Sequence, residues 1–262
     1  MEIGITDFYG YKEPFKKRFD RIKACGFTCV MMSNDKRYKK ENGPFAKRVK
    51  YAKKIGLGLA SLHASYDNDI LKEFTFAGKT GDKIERLLKK EIKLAKKYGF
   101  KNLVVHIKGE CSQVLLDRIN RLLKVCEKCN VNFAVENIRK TEIFDYIHAN
   151  IKHERLKFCY DCGHNHCFCP DKIFFPEYAR LLTCVHLHDN DGSSDQHKPF
   201  GMGGNIDLDN LAKNLASTNL QSLDFEILSR EQLFENPDDL LKKVYENAKK
   251  LEKLVTNYRN KN

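Results

Sequence analysis

Short apolar runs alternate along this chain with amphipathic stretches. Strand-like runs occupy 2–8, 27–33 ("FTCVMMS"), 57–63 ("LGLASLH"), 102–107 ("NLVVHI"), 131–137 ("VNFAVEN"), 156–161 ("LKFCYD"), 184–189 ("CVHLHD") and 222–228 ("SLDFEIL"). Each is six or seven residues long and largely apolar, with Gly, Asn or Asp at its flanks. That is the pattern of strands buried on both faces. Helical periodicity fills the gaps. Ile84, Leu87, Leu88, Ile92 and Ala95 form one stripe, and Leu241, Val244, Ala248, Leu251 and Val255 form another. Asn236-Pro237-Asp238 is a helix-start signal ahead of the second stripe. Shorter helical patterns cover 14–24, 44–55, 112–129, 141–148, 174–182 and 207–217, and Gly26, Gly56 and Gly99 end three of the helical segments.

Eight strand–helix units in 262 residues predict an α/β fold, a single (β/α)8 TIM barrel spanning 1–262, with 255–262 as a frayed tail. No linker or shift in composition marks a second domain. The longest gap, 67–81 ("DNDILKEFTFAGKTG"), is the natural place for a segment that covers a substrate.

Composition narrows the setting. The 42% hydrophobic content supports a sizeable core, yet no apolar run is long enough to span a bilayer. The opening "MEIGITDFYG" alternates like a strand and lacks a charged-then-apolar leader, so the expectation is a cytoplasmic protein with no membrane partner. Ten cysteines are then expected to be reduced. The pairs "CEKC" (126–129) and "CYDC" (159–162) fall at a helix end and across a strand end, in different layers of the barrel, which argues against one shared zinc site. "GMGG" (201–204) has no following Lys-Ser/Thr and reads as a turn rather than a phosphate loop. The net charge of +12 admits a nucleic-acid or anionic partner. Many of the lysines, however, recur in "RLLKKEIKLAKK" and "LLKKVYENAKKLEKL", where they occupy the polar faces of helices, and a solvated surface accounts for them.

The chemistry lies at the strand ends. Active sites of such barrels are built at the C-terminal ends of the strands, and side chains alternate along each strand. The inward sets are Leu59, Ser61 and His63; Val104 and His106; Ala134 and Glu136; Cys159 and Asp161, with His164 in the next loop; Cys184, His186 and His188; and Ser222, Asp224 and Glu226. Six consecutive strands thus end in a histidine or carboxylate aimed at one mouth. Burying these groups unpaired is costly, and coordination to divalent cations removes that cost. Nitrogen and oxygen donors without thiolate suit zinc, manganese or cobalt better than calcium.

The stretches "LHASYDND" (62–69), "VVHIKG" (104–109), "AVENIR" (134–139), "YDCGHNH" (160–166), "VHLHDNDGSSDQHKPFGMGGNID" (185–207) and "DFEIL" (224–228) follow one another in a familiar order. With them the chain resembles the xylose-isomerase-like TIM-barrel superfamily, which includes endonuclease IV and many sugar or sugar-phosphate isomerases and epimerases. The resemblance implies a divalent metal, Zn or Mn, held by Glu136, Asp161, His186 and Glu226. His188 is a rival to His186, because H-x-H permits two registers. Resemblance to ketose epimerases makes Glu136 and Glu226 the proton-exchanging pair and gives His164 a substrate hydroxyl. The further metal ligands of endonuclease IV correspond to His63, His106, His164, Asp195 and His197, so more than one ion is implied.

There are departures from endonuclease IV. "IRKTEIFDY" stands where that family has a Gly-rich loop, and His106-Ile107-Lys108 stands for its "HPG", although an aromatic is kept at Tyr66. The resemblance therefore implies a metal-dependent sugar or sugar-phosphate isomerase or epimerase. The alternative is a zinc-dependent phosphodiesterase acting on abasic DNA. His188, Lys108, Arg139 and Lys198 are expected to contact substrate, the last three through a phosphate. Related barrels often pair, so a homodimer is the expected assembly.

Overall fold

A computed structural model describes residues 1–35, 42–65, 71–228 and 233–261. Its strands are β1 (Glu2–Thr6), β2 (Cys29–Ser33), β3 (Gly58–His63), β4 (Asn102–Val105), β5 (Asn132–Glu136), β6 (Leu156–Asp161), β7 (Leu182–His186) and β8 (Ser222–Phe225). The described helices are α1 (Phe15–Cys25), α2 (Phe45–Lys54), α3 (Lys79–Tyr98), α4 (Gln113–Cys129), α5 (Thr141–Asn150), α6 (Cys162–Phe168), α7 (Leu208–Ala216) and α8 (Pro237–Arg259). Tyr66 and residues 67–70 of the expected covering segment lie outside the described residues.

The strands pair in parallel in the order β7-β6-β5-β4-β3-β2-β1-β8. Closure comes just beyond β7, where Leu187 N donates to Asp224 O (2.9 Å) and Glu226 N donates to Leu187 O (3.1 Å). The molecule is the single (β/α)8 barrel that the alternation predicts.

Side-chain parity follows the prediction as well. Val104, Ala134, Cys159 and Cys184 form a small apolar cluster of their own, inside the barrel. Their strand neighbours Leu103, Val105, Phe133, Val135, Phe158 and Val185 belong to the larger core beneath the helices. The interior cluster is built from small or branched side chains, and the chemistry sits one layer above it. Register brings Glu136 opposite Cys159 and Asp161 opposite His186.

On α3 the buried stripe is Ile84, Leu88, Ile92 and Ala95, whereas Leu87 faces outward at 38% exposure. On α8 all five expected positions are buried. The expected frayed tail from 255 is corrected: Val255 is buried, α8 runs on to Arg259, and that guanidinium donates to Thr218 O and Leu220 O.

The sixth unit also departs from expectation. A helix follows β6 immediately as α6, and 174–181 contains no α-helix, only irregular backbone, turns and a 3-10 segment at Ala179–Leu181, before β7 begins at Leu182. The apolar spacing there has another cause: Phe174 and Tyr178 pack edge-on against Phe144, and Phe174 lies against Phe158. An aromatic cluster produced a helix-like period.

All ten cysteines are free, and Cys126 and Cys129 sit in the outer core while Cys159 is inside the barrel. Among the described residues no helix is long and apolar enough to cross a membrane.

Candidate metal centre

Glu136 ends β5 with its side chain 1% exposed and imidazoles around it. Its Oε2 is 3.1 Å from His106 Nε2, 3.4 Å from His63 Nε2 and 3.3 Å from His186 Nδ1, and its Oε1 is 3.1 Å from His164 Nδ1. Yet neither Glu136 oxygen, nor His186 Nδ1, makes a hydrogen bond of acceptable angle. Lone-pair-bearing atoms converge here, an arrangement that a cation satisfies and a buried hydrogen-bond network does not. Donor atoms of Glu136, Asp161, His186 and Glu226 all lie within 4.8 Å of one another. Two further groups meet the same limit: His63 with Glu136 and His186, and His188 with Asp195 and His197. His164 links them, its Nδ1 3.6 Å from Asp161 Oδ2 and its Nε2 3.7 Å from Asp195 Oδ2. The nine side chains expected as ligands thus form one contiguous cluster, and nitrogen and oxygen donors of this kind fit a zinc- or manganese-like ion.

Local structure explains how each donor arrives. Asn137, next to Glu136, splints two strand ends: its Nδ2 donates to Asp161 O (2.8 Å), and Asp161 N donates to its Oδ1 (2.7 Å). Asp161 caps α6 by accepting from His164 N at 2.6 Å, which puts His164 in the first turn of a helix rather than in a loop as expected. His197 takes a left-handed φ of 51°. Its Nδ1 lies 2.9 Å from Glu226 O and its Nε2 2.9 Å from Asp195 Oδ2, so one histidine joins this loop to the end of β8.

The two histidines of the H-x-H pair are both buried, and neither lines the cavity, but they have different neighbours: His186 groups with Glu136, Asp161 and Glu226, whereas His188 groups with Asp195 and His197, its Nε2 3.1 Å from Asp161 Oδ1. The expected contact between His188 and substrate is therefore corrected. Gly163 makes room for it, since a Cβ there would fall 1.9 Å from the His188 ring. Asp189 is not part of the donor cluster. It accepts from Asn190 N, Gly201 N and Ile206 N, and the "GMGG" turn wraps around its carboxylate.

Electrostatics divides the cluster by charge. Burial alone would raise Glu136, but His106 and His186 outweigh it and hold the carboxyl well below its ordinary range. Burial likewise opposes ionisation of Glu226, and His186 and His197 overcome it. Both glutamates are carboxylates near neutrality. His186 is pushed well above its usual value despite burial, because Glu136 and Glu226 flank it. At His106 burial prevails and the imidazole is lowered.

A cavity of about 670 Å³ opens over Glu136 and Glu226. The loops after β4 and β5 contribute Lys108, Arg139 and Lys140 to its lining, and the 71–78 segment contributes Lys72 and Phe76. Lys198, expected at a phosphate, does not line it, although Asp195 and His197 of the same loop do: its backbone is paired with Asp189 (3.0 and 2.7 Å). Lys72, Lys140, Phe168 and Asn137 escaped the sequence reading. Adjacency to Arg139 and to Glu136 was the available signal for Lys140 and Asn137.

A family model described as xylose isomerase-like TIM barrel matches residues 19–251. No curated protein matches the chain. Among solved structures it is similar to a D-tagatose 3-epimerase-like protein, with a TM-score of 0.76 at 15% identity, over 100% of this chain and 99% of that one. An L-ribulose 3-epimerase gives 0.76 at 15% identity, over 100% and 97%. A sugar phosphate isomerase/epimerase from Parabacteroides distasonis gives 0.74 at 16% identity, over 94% and 96%. At such identities the likeness establishes the fold.

Proposed function

This chain belongs to the xylose isomerase-like TIM-barrel family, and we propose that it is a metal-dependent sugar isomerase or epimerase. One observation carries the reading: two carboxylates, the buried Glu136 and the half-buried Glu226, share a donor cluster with Asp161 and His186 at a cavity sized for a small molecule. The epimerase names of the structural neighbours point the same way. A divalent cation held by Glu136, Asp161, His186 and Glu226 would stabilise the negative charge that grows on adjacent substrate oxygens when a C–H proton leaves.

The chain's own groups do the remaining work. Of Glu136 and Glu226, both ionised in the resting protein, one takes the C–H proton on one face of the sugar, and the other, after taking up a proton from solvent, delivers it to the opposite face. His164, which lines the cavity, orients a substrate hydroxyl.

The test is proton exchange. Metal content is measured on protein purified without added ions, and a panel of ketoses is then incubated with it in D2O. Deuterium is expected at the carbon beside the carbonyl, and Glu136→Gln should slow its incorporation by roughly 10²–10⁴-fold. Absence of exchange with every ketose, in protein carrying its metal, overturns the reading.

A second reading, hydrolysis of a phosphodiester in abasic DNA, is favoured by the size of the donor set. The His188–Asp195–His197 group shares no residue with the Glu136–Asp161–His186–Glu226 group. Several zinc ions so placed would clamp a phosphate and activate water. Cleavage of an abasic duplex, together with more than one bound zinc, would select this reading over the first.

A further inference from the structure

Just beyond β3 the sheet ladder ends. Ala64 N still donates to Val104 O at 2.8 Å. The next N–H, that of Ser65, has left the sheet and meets α3, where both Glu91 oxygens accept it, Oε1 at 3.1 Å and Oε2 at 3.2 Å. Ser65 Oγ donates to the same Oε1 at 2.6 Å.

Glu91 occupies an unusual place for an acid. It lies on the buried stripe of α3 with Ile84, Leu88 and Ala95 and is 2% exposed. A carboxyl buried where a leucine would fit is costly unless its bonds offset the lost hydration. The other buried glutamate of this helix, Glu85, is answered by Arg121 and Lys89. Glu91 hydrogen-bonds only Ser65 among the described residues.

The peptide it grips has a second partner. A trans peptide points its N–H and C=O in opposite directions, and the C=O of this one, Ala64 O, lies 2.9 Å from His63 Nδ1. A carbonyl only accepts, so Nδ1 carries the proton and Nε2 presents its lone pair. That Nε2 is 3.4 Å from Glu136 Oε2, in the donor group of His63, Glu136 and His186. His164 and His197 also rest Nδ1 on backbone carbonyls, those of Asn137 and Glu226. At His63 the supporting peptide is itself fixed and polarised from behind by a buried acid, and hydrogen bonds in such a chain strengthen one another.

We propose that Glu91 is a positioning residue for the metal centre: acting through the Ala64–Ser65 peptide, it locks His63 in the orientation and tautomer that offer Nε2 to a divalent cation. The role rests on the metal-dependent reading above, whereas the path from Glu91 to the His63 ring stands on its own hydrogen bonds.

The experiment reads the tautomer and the ion separately. Long-range proton–nitrogen NMR spectra of chelator-treated protein, with His63 assigned by comparison with His63→Gln, report which ring nitrogen is protonated. Wild type should carry the proton on Nδ1. Glu91→Met, which fills the apolar stripe without an acceptor, should give a mixture of tautomers. Glu91→Gln, whose amide oxygen still accepts from Ser65 N, should keep the wild-type pattern, and so should Ser65→Ala, which keeps that N–H. In competition with a chelator, Glu91→Met should bind zinc roughly 10–100-fold more weakly, and Glu91→Gln should recover most of the affinity. A wild-type proton on Nε2, a tautomer unmoved in Glu91→Met, or the same change in Ser65→Ala each overturns the proposal. Zinc affinity indifferent to Glu91 also overturns it and spares the metal-dependent reading. Protein that takes up no zinc or manganese while its His63 tautomer still follows Glu91 refutes metal dependence and leaves the path from Glu91 to His63 standing.

Discussion

His188 Nε2 lies 3.1 Å from Asp161 Oδ1 and 3.3 Å from Asp161 Oδ2, and both side chains are 0% exposed. The same Oδ1 accepts from His164 N. Asp161 is thus pinned from behind by an imidazole and a helix terminus, and its Oδ2 is left toward His164 and His186. Stacking on His197 at 4.1 Å fixes the ring that does the pinning.

Groups that orient ligands typically contribute 10–100-fold to metal affinity. His188→Ala should weaken zinc or manganese binding by that factor, read by competition with a chelator. Gly163→Ala, which drives a methyl into the His188 ring, should act in the same direction. Unchanged affinity in both variants would reduce His188 to packing.

Removal of metal should cost stability. An ion held at a hundred times its Kd adds about 2.7 kcal/mol to unfolding. Chelator-treated protein should therefore melt at a lower temperature, with recovery on adding zinc or manganese. Identical Tm values with and without chelator would mean that the converging donors hold no ion.

His148, on α5, is expected to contribute to the loss of stability in acid. It is 3% exposed, ringed by Phe144 and Tyr178, with neither ring nitrogen hydrogen-bonded. Burial first, and then the charge of Lys152, push its pKa down to about 4, against a contribution of opposite sign from Asp145. A depressed histidine stabilises the fold fully above its unfolded value of about 6.5, and that stability is lost as pH falls through 4. The loss approaches about 3 kcal/mol. His148→Phe should flatten the decline of stability between pH 7 and 4, and parallel curves for the two proteins would sink the assignment.

Arg118 holds the cavity's outer wall. Buried on α4, it donates to Phe74 O (2.7 Å), Phe76 O (2.6 Å) and Asp82 Oδ1 (2.7 Å), clasping the segment that carries Lys72 and Phe76. Arg118→Met leaves those carbonyls unpaired, at about 1–3 kcal/mol for each that stays buried. Faster amide exchange across 71–78 and a higher KM are the expected results. Exchange rates matching wild type would show that the segment is held by other contacts.

Much of this was legible along the chain. The inward parity of Val104, Ala134, Cys159 and Cys184 holds in the barrel, and so does the meeting of Glu136, Asp161, His186 and Glu226. The pattern misled where aromatic packing copied a helical period, at 174–182, and at Leu87, which faces outward from the predicted stripe. His186 and His188 share a face in any strand reading, so alternation alone did not choose between them. The chain's departure from β7 at Leu187, and the room that Gly163 leaves, give the two rings different neighbours, Glu136 and Glu226 for His186 and Asp195 and His197 for His188.

The alternation of strands with helices and the side-chain parity of the strands were written in the sequence, because alternation is a steric property of neighbouring residues, while loop donors such as Asp195 and His197 were expected only from the family resemblance. Which histidine backs Asp161, and why Lys72 and Lys140 rather than Lys198 reach the cavity, was decided only in three dimensions. Those distances run between loops whose directions depend on packing against the closed barrel, and no local period encodes them.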